Sequence, residues 1–374
     1  MHSITINMYG GVNMGFFSKL FGKKEKEPIV KTSITVNNVE PERRPTAKVP
    51  AAIQDLVLIA LSEKYKTTET DYPDSLRTSY GIGFPKEKLW SLAERGYIRT
   101  TSMAESLSHL KVVELKTLAS SFGIKAYGKK ADICQRIIAE APPADLEALP
   151  YDRYWKITDS GRALLDFNPY IEFYVNESQK YSLEYLGISI KDLADLYSNA
   201  SNKRVRDLVW GEFNRKSIEL YSEAMSKGEF DKYCTLLGSM GVFLADENRH
   251  KEALLMYMRK MFYYINFQAP FYALKEYSVL KDVDSAAETL LMRAYLYPND
   301  VKQIMNASGK CGFNSTQLKE FMDDTFKKEQ DIGIFTPQEL SDYLMYGFNA
   351  DEENQMKLCK IAIRRASKNL PKKK

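Results

Sequence analysis

The sequence predicts a mainly α protein, and three observations carry that expectation. From Ala51 onward apolar residues such as Ile53, Leu56, Val57, Ala60 and Leu61 recur at three- and four-residue spacing, which places them on one helix face. Only two runs, 97–101 and 154–157, have the aromatic and β-branched character of strands. Beyond Tyr181 the helical pattern is nearly unbroken, with Gly228, Gly238, Pro270, Pro298 and Gly312 as expected stops.

The chain has 374 residues, 44% of them hydrophobic and 27% charged, enough to build two or three domains. Fifty-three Lys and Arg stand against 49 Asp and Glu, a net charge of +4, so any affinity for a polyanion must be local. Cys134, Cys234, Cys311 and Cys359 lie far apart, with only His2, His109 and His250 to join them. That spacing argues against a zinc site or a disulfide framework and suits a reduced, cytoplasmic setting. No apolar run approaches the roughly 20 residues of a spanning helix, so no membrane partner and no cofactor are expected.

At the N-terminus, Met14-Gly15-Phe16-Phe17-Ser18-Lys19-Leu20-Phe21-Gly22-Lys23-Lys24 reads like a second translation start. Its short apolar face suits a flexible arm better than a membrane anchor. Residues 22–50 are rich in Lys, Glu, Pro, Thr and Asn and lack the apolar density that offsets ordering entropy. Residues 1–50 are therefore expected to be a disordered leader and linker.

A helix begins at Ala51, a polar, turn-rich stretch follows over 67–83, and Pro85 opens a second helix through Leu89, Trp90 and Leu92 that stops at Gly96. The strand over 97–101 finds its partner only at 154–157, after which Thr158 or Asp159 can cap a further helix. Within this order, Ala93-Glu94-Arg95-Gly96-Tyr97-Ile98 and Lys156-Ile157-Thr158-Asp159-Ser160-Gly161-Arg162-Ala163-Leu164-Leu165 resemble the helix-to-wing and post-wing segments of winged helix-turn-helix proteins. The resemblance implies a winged-helix-like domain over 51–102 and 153–175, with residues 103–150 inserted at the tip of the wing.

Inside the insertion, Leu107, Leu110, Leu115 and Leu118 outline one helix with Ser108 as its cap, and Phe122-Gly123-Ile124 closes it. A second helix starts past Gly128 and shows Ile133, Ile137 and Ile138 on one face. Between them lies Lys125-Ala126-Tyr127-Gly128-Lys129-Lys130. Free backbone N–H groups and the positive end of the second helix, beside these lysines, suit a phosphate backbone.

Leu110-Lys111-Val112-Val113-Glu114-Leu115-Lys116, Phe122-Gly123-Ile124, Gly128-Lys129-Lys130-Ala131-Asp132-Ile133 and Arg136-Ile137 together resemble the SAP motif, over about a tenth of the chain. The resemblance implies a two-helix module that binds DNA, A·T-rich or without strict sequence reading, as in chromatin, repair and phage-associated proteins. It places the phosphate-facing turn on Gly128, Lys129 and Lys130, flanked by Lys116 and Arg136; Lys125 joins them by charge. Ile133-Cys134 departs from the two aliphatic residues common there. Some members bind RNA or protein instead.

The segment Gly123 to Lys130 also fits G-x-x-x-x-G-K, but Lys130 stands where a nucleotide-binding loop needs Ser or Thr for magnesium, and a helix precedes it instead of a strand. No compact carboxylate cluster, nucleophile–base pairing or glycine-rich nucleotide loop appears, so an enzyme is not expected.

From 176 to 374 the reading is an α-helical hairpin array with a basic tail, Arg364-Arg365 through Lys374. A helix over 204–225 should turn Val209, Trp210, Phe213, Ile218 and Tyr221 inward; helices over 230–245 and 250–264 should follow. The pair carrying Leu236-Leu237-Gly238 and Glu252-Ala253-Leu254-Leu255-Met256-Tyr257 resembles a tetratricopeptide-like hairpin, although no second clean copy exists. The aromatic cluster from Met258 to Tyr272 either lines a peptide groove or, more commonly for such residues, fills a core. The chain as a whole resembles bacterial and prophage proteins carrying a SAP segment. It reads as a DNA-binding protein with a helical protein-interaction domain; the alternative is a protein scaffold whose SAP segment binds RNA or protein.

Overall fold

Helix α1 (Ala51–Leu61) is apolar on nearly every side and buries Ile53, Leu56, Val57, Leu58, Ile59 and Leu61, which makes it the central rod of its unit. A computed structural model describes residues 51–200, 203–329 and 333–368, so the expected leader and linker and the last lysines of the tail lie outside the described residues. Around α1 pack α3 (Pro85–Glu94), α8 (Asp159–Phe167) and α9 (Pro169–Glu177). Between α1 and α3 the stretch read as turns contains a short helix, α2 (Asp74–Thr78). Helix α3 begins with proline in its first turn, buries Leu89 and Leu92, and ends before Gly96, whose φ of +78° lets the chain reverse.

Strand β1 (Ile98–Thr100) pairs antiparallel with β2 (Trp155–Ile157), in the register Ile98 to Ile157, Arg99 to Lys156 and Thr100 to Trp155. The other side of β2 is also paired: Lys66 bridges Tyr154, and Trp155 N–H donates to the Tyr65 carbonyl at 3.3 Å. Thr158 caps α8 by accepting from Gly161 N–H at 3.2 Å. A side chain at Gly161 would meet the Tyr97 carbonyl 2.1 Å away, so this helix start can lie flush on the strand only with glycine.

Between the strands lie α4 (Met103–Ser106), a 3-10 turn (Leu107–His109), α5 (Val112–Ser121), α6 (Lys130–Glu140) and α7 (Pro143–Glu147). They share a buried cluster that includes Met103, Leu107, Leu115, Leu118, Ile133, Ile137 and Leu146. The helix expected from Leu107 is broken: Leu110 and Lys111 are extended, with ψ of 151° and 155°. Its start falls at Lys111 rather than Ser108, because the Glu114 carboxylate turns back to accept Lys111 N–H at 2.5 Å. Ile138 is exposed, unlike Ile133 and Ile137.

The described residues form two compact units: 51–178 with 189–200 and 203–205, including α10 (Ile190–Asn199), and 179–188 with 206–329 and 333–368. Among the described residues every regular element of the second is a helix. Helix α11 (Val205–Lys227) buries Val209, Phe213, Leu220 and Ala224, while Ile218, expected inward, is 77% exposed. Five residues past Phe213, Ile218 lies about 140° around the helix from it.

Helices α12 (Asp231–Asp246) and α13 (His250–Tyr263) form a close hairpin. Gly238 does not stop α12, and a side chain at Gly241 would sit 2.3 Å from the Tyr257 ring. Pro270 is no stop either. A π-helical turn (Tyr264–Gln268) leads directly into α14 (Ala269–Leu280), so the helix runs on through the proline, with the hydrogen-bond register shifted in the turn just before the residue that lacks an N–H. Met258, Met261, Phe262, Tyr263 and Phe267 are buried, so this part of the aromatic cluster is core; Tyr272 is exposed.

The remainder is α15 (Val283–Arg293), α16 (Pro298–Lys310), α17 (Ser315–Lys328), α18 (Pro337–Phe348) and α19 (Glu352–Ser367). Thr336 caps α18 as its sequence position suggests. Met305 is half exposed although Ile304 beside it is buried. Arg365, read from the sequence as part of the basic tail, lies within α19 and donates to Glu339 at 2.8 Å and to the Ile334 carbonyl at 2.7 Å.

Candidate nucleic-acid interface

The link from α5 to α6 is shaped by two groups. Gly128 has a φ of +90°, and a side chain there would press on the Asp132 carboxylate at 2.7 Å. That carboxylate is already engaged: Asp132 Oδ2 accepts Lys129 N–H at 2.8 Å, which sets the first turn of α6. The next three amides, of Lys130, Ala131 and Asp132, precede any intrahelical acceptor and form the positive end of the helix.

Lys116, Lys125, Lys129 and Lys130 are all exposed, and none forms an ion pair among the described residues. The structure therefore leaves four of the six expected site residues with free charged heads. Gly128 supplies backbone shape.

Arg136 has a different position. Its Nη1 donates to the Lys125 carbonyl at 2.7 Å and its Nε to the Asp132 carbonyl at 3.2 Å. Its guanidinium also lies over the Tyr127 ring, 3.7 Å from the centroid. Arg136 braces the turn from beneath, and Tyr127 stays 67% exposed above it.

The helical segment between the strands is joined to them by a charged clamp that sequence reading missed. Arg99 and Lys156 face each other across the ladder, a like-charge pair that is unfavourable alone. Glu105 accepts from both, from Arg99 at 2.7 Å through each arm and from Lys156 at 2.6 Å. It also accepts Ser102 N–H at 3.0 Å, capping α4. The Arg99 hydrogen bonds, followed by that of Lys156, hold the Glu105 carboxyl well below the usual carboxylate range. The available signal was the Ser102-x-x-Glu105 capping pattern; its second role depends on residues six and 51 positions away.

The far end of this segment is tied back as well, since Glu147 accepts Met103 N–H at 2.9 Å and pairs with Arg153 at 3.0 Å. His109 stacks on Tyr154 with centroids 3.7 Å apart. Burial, helped by the charge of Lys130, pushes the imidazole below its ordinary pKa, which disfavours its cationic form. Among the described residues, no group of three His, Cys, Asp or Glu converges to hold a metal, and no helix is long and apolar enough to cross a membrane.

The nucleotide-loop alternative for Gly123 to Lys130 meets helix α5 where a strand is required, and Ile124 is the buried residue of that loop. No family model matches the chain, and neither a curated protein nor a solved structure is found to be similar to it.

Proposed function

We propose that residues 103–150 are a SAP-type helix pair and that the chain binds DNA through the turn 125–130. The observation that carries this reading is the group of exposed, unpaired lysines around the free amides of α6, on a turn braced by Arg136. Such a site contacts phosphate oxygens and reads no base edges, so binding is salt-sensitive and of low sequence specificity. In this reading residues 51–102 and 153–175 form a winged-helix-like platform, and the insertion extends from its wing. The chemistry is recognition alone, with no catalytic step and no cofactor.

A fluorescence-anisotropy titration with A·T-rich duplex, mixed duplex and single-stranded RNA tests the proposal. Duplex binding that is lost in Lys129→Glu/Lys130→Glu, with the helical circular dichroism unchanged, supports it. Equal affinity of variant and wild type removes the turn from the mechanism.

The second reading is a scaffold whose helical unit does the biological work. Exposed apolar residues on that unit favour it, with Val279 75%, Met292 66% and Leu280 59% accessible. Removing residues 206–374 then abolishes function; under the first reading DNA binding survives and only partner recruitment is lost.

A further inference from the structure

The basic turn carries one aromatic side chain, Tyr127, and its setting differs from that of an ordinary surface tyrosine. The Arg136 guanidinium lies against one face of the ring at 3.7 Å. Arg136 is itself held by the carbonyls of Lys125 and Asp132, one on each side of the ring in sequence. The ring is thus oriented before any ligand arrives, and it remains 67% exposed. Lys125, Lys129 and Lys130 flank it with unpaired charges.

We infer that Tyr127 is a stacking platform for an unpaired base, so that the preferred ligand of this turn is DNA with a single-stranded segment rather than continuous duplex. The inference rests on the DNA-binding reading above and narrows its ligand. A backbone-only site gains nothing from an exposed ring, whereas a single strand offers both a phosphate track for the lysines and a base face for the tyrosine. A guanidinium on the opposite face draws electron density from the ring, which improves its stacking on the electron-rich face of a base. In a continuous duplex the base faces are covered by their neighbours, so the ring finds no partner there. Base-edge readout is absent from this arrangement, and the contact is tolerant of sequence.

The test uses the full chain and compares a mixed-sequence single strand with its duplex by anisotropy at one salt concentration. Tyr127→Leu keeps apolar bulk over Arg136 and removes the π face; Tyr127→Phe keeps the face. The expected result is that Tyr127→Leu lowers single-strand affinity about tenfold and lowers duplex affinity by clearly less, and that Tyr127→Phe restores the wild-type ratio. Equal weakening of both ligands by Tyr127→Leu, or no change in either, overturns the platform while Lys129→Glu/Lys130→Glu still abolishes binding. Should the lysine variant bind both ligands like wild type, the DNA-binding reading falls and the platform with it. Thermal melting of each variant separates a loosened turn, which weakens both ligands together, from loss of stacking.

Discussion

The carboxylate of Glu105 takes both arms of the Arg99 guanidinium at 2.7 Å each, and this pair lets two like charges sit opposite each other on the ladder. Because Lys156 donates to the same carboxylate, one side chain from the segment between the strands bridges a cation on each strand. Glu105→Gln should destabilise the first unit by about 1–2 kcal/mol, the range for charge-assisted hydrogen bonds reduced by solvent screening. Denaturant melts of wild type and variant check this.

The pH dependence follows from the same clamp. The folded pKa of Glu105 is depressed, so its stabilising contribution is present above the ordinary carboxylate value of 4.5 and is lost as pH falls through the lower folded value. The stability gap between wild type and Glu105→Gln should stay constant from pH 7 down to about 5 and close below that. A gap that widens with acid would contradict the assignment.

Gly128 should resist replacement. Gly128→Ala puts a side chain at φ +90° and presses on the carboxylate that caps α6, so about 1–3 kcal/mol of stability is lost. DNA affinity should fall with it, because the lysines depend on the same turn. A melt and a titration on the same preparation measure both.

At Gly241 even the sign of the effect is informative. Gly to Ala within a helix ordinarily stabilises by roughly 1 kcal/mol, but here the new methyl would lie 2.3 Å from the Tyr257 ring. Overpacking of about 1–3 kcal/mol outweighs the helix gain, and Gly241→Ala should lower the melting temperature of the helical unit.

Thiol alkylation of the native protein should label Cys311 first. Burial pushes the thiols of Cys234 and Cys359 far up, Cys234 more so, and both are inaccessible; Cys134 is also buried. Mass spectrometry after a short iodoacetamide pulse reads the order directly, and early labelling of Cys234 would show that the α12–α13 hairpin opens.

Much of the helical architecture was legible because apolar spacing reports a helix face locally: α1, α3 and α12 are evident from their own residues. The β1–β2 pairing was legible too, since Tyr97 to Thr101 and Tyr154 to Ile157 stand out from helical surroundings. The failures have local causes. Gly238 and Pro270 look like stops, yet one lies inside α12 and the other follows a π-turn that no periodicity signals. At the candidate site the lysines and Gly128 were readable, whereas the bracing role of Arg136 depends on a carbonyl 11 residues away. The clamp at Glu105 was hidden because its two cations come from different strands.

The salt dependence of DNA affinity, measured for wild type and for Lys129→Glu/Lys130→Glu, shows whether the lysines of the turn contact phosphates. Each phosphate contact contributes a slope of about −0.9 in log K against log salt on duplex and about −0.7 on a single strand. The wild-type slope should be clearly negative and become shallower by about one to two contacts in the variant, with a large loss of affinity. Identical slopes and affinities for the two proteins would contradict such contact.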